Sequence, residues 1–291
     1  MSNVIEISNL TKMYGKSRGI LNVNLEVKEG EIFGFIGPNG AGKSTTIKLL
    51  LNFIYPSSGT ARIFDLSTNY KSKEIKSLVG YVPSEVNFYD GLTVKQVVLY
   101  ACRFYRNIDY SYVYDMCDQF ELEMDKKVQD LSLGNKKKVA VVQALVHKPK
   151  LLILDEPTSG LDPLMQKLLF NILETQSKKG VTIFLSSHNL EDVQRYCNRV
   201  AIIKEGRIVD VKKIETLALN RSKLIKIRGK DITIPVIQGL GGKFIEMDRN
   251  LIVFEYERDF NKLLRSLYMY QIEDIYIENK KLADAFIDYY K

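Results

Sequence analysis

The chain has 291 residues, 42 Lys and Arg against 35 Asp and Glu, and a formal charge of +7; that length buries a substantial core, as one large domain or as a medium domain plus a small one. Its 45% hydrophobic and 26% charged content is that of an ordinary globular protein, and no run reaches the roughly 18 uninterrupted apolar residues of a membrane span. The lysines are scattered and no nucleic-acid-binding signature accompanies them, so nucleic acid is not an expected partner. The start, Met1-Ser2-Asn3-Val4-Ile5-Glu6, lacks the basic and apolar regions of a secretory signal, and Cys102, Cys117 and Cys197 show no CxxC spacing. A cytoplasmic setting with packed, reduced thiols is the expectation.

In chain order, Val4 to Leu10 and Leu21 to Val27 alternate apolar and polar residues and read as half-buried strands. After the turn Lys28-Glu29-Gly30-Glu31, the apolar run Ile32 to Ile36 reads as a central strand, and Ser44 to Leu51 favours a helix. Between strand and helix lies Gly37-Pro38-Asn39-Gly40-Ala41-Gly42-Lys43-Ser44-Thr45, a full GxxxxGK[ST] pattern. Its glycines let successive amide N–H groups turn toward phosphate oxygens, Lys43 adds a point charge for the β- and γ-phosphates, and the Ser44 hydroxyl is placed to ligate Mg2+. The expected ligand is ATP or GTP.

From about 87 to 150 the chain becomes helical and tyrosine-rich, with Tyr100, Phe104, Tyr105, Tyr110, Tyr112, Tyr114 and Phe120 expected mostly to pack a helical layer and some of them to face a partner. His147, in Val146-His147-Lys148-Pro149, is expected in a surface turn without catalytic duty. Strand character returns at Leu151 to Leu154, Val181 to Leu185 and Val200 to Ile203, with a helix at Pro163 to Lys178. This alternation points to a mainly parallel sheet wrapped by helices. Asp155 follows four apolar residues and emerges at a strand end, where such sheets place ligand chemistry. It is the candidate to hold magnesium through water, and Glu156 beside it is the candidate to orient the attacking water.

Beyond about Lys213, short strands are expected at Lys223 to Arg228, Asp231 to Val236, Lys243 to Met247, Leu251 to Tyr256 and Ile272 to Ile277. Turns at Gly241-Gly242 and Asp248-Arg249-Asn250 separate some of them, and helices are expected at Phe260 to Tyr268 and Leu282 to Tyr290. The expected organisation is therefore an α/β core over 1–213, with a helical subdomain at about 87–150, and a small α+β accessory domain over 214–291.

Over roughly residues 4 to 210 the chain resembles the ATP-binding subunits of ABC transporters, a branch of the P-loop NTPases. Besides the phosphate loop and Leu151 to Glu156, Leu131-Ser132-Leu133-Gly134-Asn135 matches the family's signature loop, Ser159-Gly160-Leu161-Asp162 its D-loop, Ser186-Ser187-His188 its switch histidine, and Tyr14 the aromatic residue on which adenine stacks. The resemblance implies that Ser132 and the amide of Gly134 meet the γ-phosphate bound by an opposite chain, that Asp162 is among the nucleotide-binding residues, and that His188 contacts the γ-phosphate and helps organise the attacking water. It also implies a head-to-tail pair of cassettes, most simply a homodimer, docked on separate membrane-spanning permease subunits at the cytoplasmic face of the membrane and powering transport. The C-terminal extension resembles those of export-type subunits, including bacitracin- and lantibiotic-resistance systems.

Two departures stand out. Gly80-Tyr81-Val82-Pro83 is followed by Ser84-Glu85 where the family has a glutamine, so Ser84, Glu85 or solvent must supply the magnesium and water contacts of that side chain. The signature carries Leu133 for a glycine and Asn135 for the glutamine. A different class, a soluble ABC-type ATPase acting on nucleic acid or ribosomes, usually has two cassettes or an inserted coiled coil, and neither is visible. A GTPase switch would want an NKxD motif, and Asn135-Lys136-Lys137-Lys138 lacks the aspartate.

Overall fold

The computed structural model describes residues 2–218, 223–248 and 250–279 and divides the chain into two compact units, Met1–Lys212 and Lys213–Lys291. The first unit opens with β1 (Asn3–Tyr14), β2 (Ser17–Lys28), β3 (Ile32–Ile36) and α1 (Lys43–Leu50), followed by β4 (Ser58–Ile63), β5 (Leu66–Ser67), α2 (Ser72–Leu78) and β6 (Val79–Val82). Helices α3 (Val94–Cys102), α4 (Tyr110–Gln119) and α5 (Leu133–Leu145) come next. Then follow β7 (Leu151–Asp155), α6 (Pro163–Lys178), β8 (Thr182–Ser187), α7 (Leu190–Tyr196), β9 (Arg199–Lys204) and β10 (Arg207–Lys213).

Two sheets result. One runs β2-β1-β4-β5 with antiparallel pairing; the other runs β10-β9-β3-β8-β7-β6, and its β9-β3-β8-β7-β6 portion is parallel. β3, β7 and β8 are buried along their whole lengths, as strands covered on both faces must be, which is why Ile32 to Ile36, Leu151 to Leu154 and Ile183 to Leu185 read as apolar runs, with Thr182, Asp155, Ser186 and Ser187 as the buried polar residues at strand ends. Helix α1 sits between the sheets, against β2 and β4 of one and β7 of the other. Val4, Ile20, Ile47, Ile63, Phe33, Ile153 and Phe184 belong to this one core. The parallel order carries the C-terminal ends of β3, β6, β7 and β8 to one edge, where Asp155 ends β7 and the 37–45 loop, Ser84, Glu156 and His188 follow the strands.

The helical layer is nucleated locally. Thr93 and Gln96 form a reciprocal capping box at the start of α3, and Asp109 caps α4. α5 packs on α3, α4 and β6. Of the seven aromatics expected to pack here, Tyr100, Phe104, Tyr110 and Tyr114 are exposed, while Phe120 is buried. The apolar positions Val97, Val98, Cys102, Val113 and Cys117 fill the layer instead. His147 does follow α5 in a turn, but its ring lies half-buried and stacks on Tyr105 at 3.8 Å, so it is not a surface residue. Cys102, Cys117 and Cys197 are buried free thiols, and burial pushes the Cys117 pKa up to about 11.

The second unit comprises α8 (Ile214–Ala218), β11 (Lys223–Lys230), α9 (Ile234–Gly239), β12 (Lys243–Asp248), β13 (Leu251–Tyr256), α10 (Phe260–Leu267) and β14 (Gln271–Asn279), with sheet order β12-β13-β11-β14. Ile225 and Ile227 of β11, Ile252 and Phe254 of β13, and Leu263 and Leu267 of α10 form its core, the period-2 and period-3.6 patterns meeting as expected. The expected strand at 231–236 is a correction: Ile234–Gly239 is helical, with Pro235 in its first turn. Proline removes a ladder donor in a strand but fits a first helical turn, where the N–H is unpaired anyway. The helix expected over 282–290 lies outside the described residues.

Candidate functional site

The loop after β3 makes its turn because Gly42 adopts φ 112° and a Cβ there would stand 2.6 Å from Ile20 Cγ2. No side chain caps α1, whose first N–H groups therefore face the loop, the arrangement that receives anions. Around this loop lies a cavity of about 330 Å³ lined by Tyr14, Pro38, Asn39, Gly40, Gly42, Lys43, Ser44, Thr45, Ser84 and Glu156 of the expected site residues. Arg18 and Gly19 also line it, and the sequence reading missed both. Gly19 matters sterically, since a Cβ there would meet Tyr14 Cε2 at 2.9 Å and Thr45 Cγ2 at 3.2 Å. Tyr14 itself is half-exposed, leaving its ring open to stacking.

Lys43 is buried and shares its ammonium among Gly37 O at 2.7 Å, Pro38 O at 3.3 Å and Glu156 Oε1 at 3.2 Å. The other carboxylate oxygen of Glu156 lies 2.6 Å from His188 Nδ1. Glu156 takes a left-handed φ of 49°, which turns its side chain out of the strand direction set by β7. Asp155, buried at the end of β7, accepts a 2.6 Å hydrogen bond from Ser186 Oγ. The same Oγ accepts from Glu156 N at 3.0 Å. One hydroxyl on β8 thus fixes the Asp155 carboxylate and the backbone amide of Glu156, a link that sequence could have suggested only through the position of Ser186 one strand over. The Tyr81 hydroxyl is pushed up to about 12 by burial, with a smaller contribution from the Asp155 charge.

Asp155 and Ser44 are hard oxygen donors, and among the described residues no cluster of three or more His, Cys, Asp or Glu side chains builds a protein cage for a metal. That donor set fits magnesium, which binds through one or two protein oxygens and completes its shell with water and phosphate oxygens. Of the two candidates at the family glutamine position, Ser84 lines the cavity, whereas Glu85 is exposed and outside the lining.

The remaining expected residues gather in a second place. Ser132 caps α5, accepting from Asn135 N at 3.3 Å, and Gly134 packs so closely on the 159–162 loop that a Cβ would stand 2.8 Å from Gly160 O. Leu133, the departure from the signature pattern, is exposed and lies beside Gly160. Asp162 Oδ1 accepts from Leu164 N and Met165 N, both at 3.0 Å, as the cap of α6. Ser132, Gly134 and Asp162 lie outside the lining of the first cavity.

Comparison with known proteins is consistent with this arrangement. The profile of the family described as "ABC transporter" matches residues 20–159. The bacitracin transport ATP-binding protein of Bacillus licheniformis is 32% identical, over 91% of this chain and 85% of the relative. A solved structure of an ATP-binding subunit of an ABC transporter aligns with a TM-score of 0.69 at 30% identity, covering 74% of this chain and 91% of the other. A dimeric cassette in a post-hydrolysis state with ADP and phosphate aligns with a TM-score of 0.66 at 26% identity, covering 72% of this chain and 98% of the other.

Proposed function

The chain belongs to the ABC transporter family as an ATP-binding, ATP-hydrolysing subunit, and from that premise we propose how its own residues divide the work. ATP lies in the 330 Å³ cavity with adenine on Tyr14 and its phosphates in the 37–45 cradle. Ser44 and Asp155 would hold magnesium, which would supply neutralisation of the developing phosphate charge. Lys43 exchanges its contact with Glu156 for phosphate oxygens. Glu156, freed from that ion pair, with its carboxylate oriented by His188 and its backbone held by Ser186, then accepts the proton of the attacking water. The observation that carries this reading is the convergence of Lys43 and His188 on one carboxylate, at 3.2 and 2.6 Å.

Ser132 and Gly134 offer a capped helix start to the phosphate of a second copy, and Asp162 stands in the adjacent loop, so two chains face head to tail. Closure depends on the γ-phosphate and reopening on its loss. Among the described residues no helix is long and apolar enough to cross a membrane. In this reading, which rests on the similarity to bacitracin transport ATP-binding proteins, transport runs in the export direction through separate permease subunits at the cytoplasmic face. Their seat is the groove of about 380 Å³ lined by Phe53, Tyr100, Phe104 and Tyr105 among others, whose first three side chains are exposed aromatics. ATPase assays on wild type and Lys43→Ala, with nucleotide titration, test the site: loss of nucleotide binding in the variant supports it and unchanged affinity overturns it. Co-purification with a membrane subunit, reduced by Phe104→Ala, tests the seat.

A further inference from the structure

Lys137 lies in α5, five positions beyond Ser132, and only 1% of it is exposed. A buried ammonium is expensive unless its hydrogens find acceptors and its charge finds opposite charge. Here both are supplied from outside the helix. Nζ donates to the backbone carbonyls of Pro83 at 2.8 Å and Ser84 at 2.7 Å. Burial pushes its pKa down, and the negative charges of Asp155 and Glu156 act in the opposite sense. A single side chain on α5 therefore grips the turn after β6 and lies within electrostatic reach of the carboxylates at the end of β7.

That turn is where this chain departs from its family. Ser84 occupies the glutamine position, lines the nucleotide cavity, and has a side chain with a single hydroxyl on Cβ. A side chain that short reaches a ligand only if the backbone brings it there, so the carbonyl grip decides where the hydroxyl stands.

We propose that Lys137 is a positioning residue for ATP hydrolysis: its ammonium pins the carbonyls of Pro83 and Ser84, holds the Ser84 hydroxyl at the wall of the nucleotide cavity, and ties the helix carrying Ser132 and Gly134 to the site where the same chain binds its own nucleotide. The consequence for turnover rests on the ATPase reading above; the pin itself does not.

The test compares wild type, Lys137→Met and Lys137→Arg by amide hydrogen exchange at Ser84, Glu85 and Val86 without nucleotide, by kcat and KM for ATP, and by thermal midpoint. Lys137→Met is expected to speed exchange at these three amides about tenfold or more while β3, β7 and β8 keep their protection. Its kcat is expected to fall about tenfold with KM changed less than about threefold, the split that marks a loss confined to the chemical step. Arginine, which also presents several N–H donors, restores both within about threefold. Wild-type exchange at the turn in Lys137→Met overturns the proposal. So does faster exchange spread evenly through the unit with a lowered midpoint, because that is the signature of a residue that only supports folding. Should the methionine variant fail to fold, Lys137→Leu, which likewise has no donor for the two carbonyls, is read by the same criteria. A wild-type protein that hydrolyses no ATP would fail the functional reading while the exchange data still decide the pin.

Discussion

Glu156→Gln separates binding from chemistry. The substitution keeps side-chain shape and the left-handed backbone at φ 49°, and removes one negative charge from between Lys43 and His188. At 3.2 Å the Lys43–Glu156 pair has a gross Coulomb attraction of about 5 kcal/mol at an effective dielectric near 20. Desolvation cancels much of this for a pair as buried as this one, leaving on the order of 1–2 kcal/mol that phosphate must displace. Lys43 keeps its bonds to the Gly37 and Pro38 carbonyls, so the cradle stays organised. ATP affinity should therefore hold or tighten by up to about tenfold. Turnover should fall by about 10²–10⁴, the usual worth of a positioned general base. Phosphate release at saturating ATP and a nucleotide titration measure the two quantities, and size-exclusion chromatography with ATP should show a longer-lived dimer. Wild-type turnover, or ATP bound about tenfold more weakly, would refute the reasoning.

Ser186→Ala removes the hydroxyl that holds Asp155 and Glu156 together; leaving a buried carboxylate oxygen without its donor costs about 1–3 kcal/mol. A thermal midpoint lower by about 5 °C and a kcat lower by about tenfold are expected, and an unchanged melt would show that Ser186 bears no load. Gly42→Ala places a Cβ 2.6 Å from Ile20 Cγ2 at φ 112°, a strain of about 1–3 kcal/mol. It should abolish nucleotide binding while the second unit stays folded, and normal titration would contradict the cradle geometry. His147 is held at a pKa of about 4, below its ordinary 6.5, chiefly by burial. The unfolded chain then binds more protons between those values, so this stabilisation is complete above about pH 6.5 and is lost as pH falls toward 4. His147→Phe, which keeps the ring stack on Tyr105 and removes the titration, should flatten the midpoint-versus-pH slope across that window. A slope equal to wild type would sink this account.

The elements that could be read without coordinates are those whose burial is written into consecutive residues. β3, β7 and β8 are covered on both faces, and Ile32 to Ile36, Leu151 to Leu154 and Ile183 to Leu185 are consecutive apolar residues within them. α6 has a proline in its first turn and an aspartate cap, both local signals. By contrast, β4 and α2 gave no clear pattern: β4 buries only Ala61 and Ile63, and α2 only Ile75. Such segments take their shape from the strands they pair with. The strand expected at 231–236 failed for the related reason that three isoleucine and valine positions suit either state until Pro235 finds its place in a helix start.

What sequence alone determined is the chemistry that depends on covalent neighbours. The 37–45 cradle needs its glycines, lysine and hydroxyls within a few bonds of one another, and Asp155 and Glu156 are adjacent; ordered motifs of this kind are legible because the backbone itself sets their geometry. What only the tertiary structure decided is which distant groups meet. Ser186 bonds Asp155 across 31 residues, His188 meets Glu156 across 32, and Lys137 reaches the Ser84 carbonyl across 53. These meetings follow from the parallel order of β6, β7 and β8 and the packing of α5 on β6. Strand order is chosen by the burial of the whole sheet, a sum over many residues that no single segment carries.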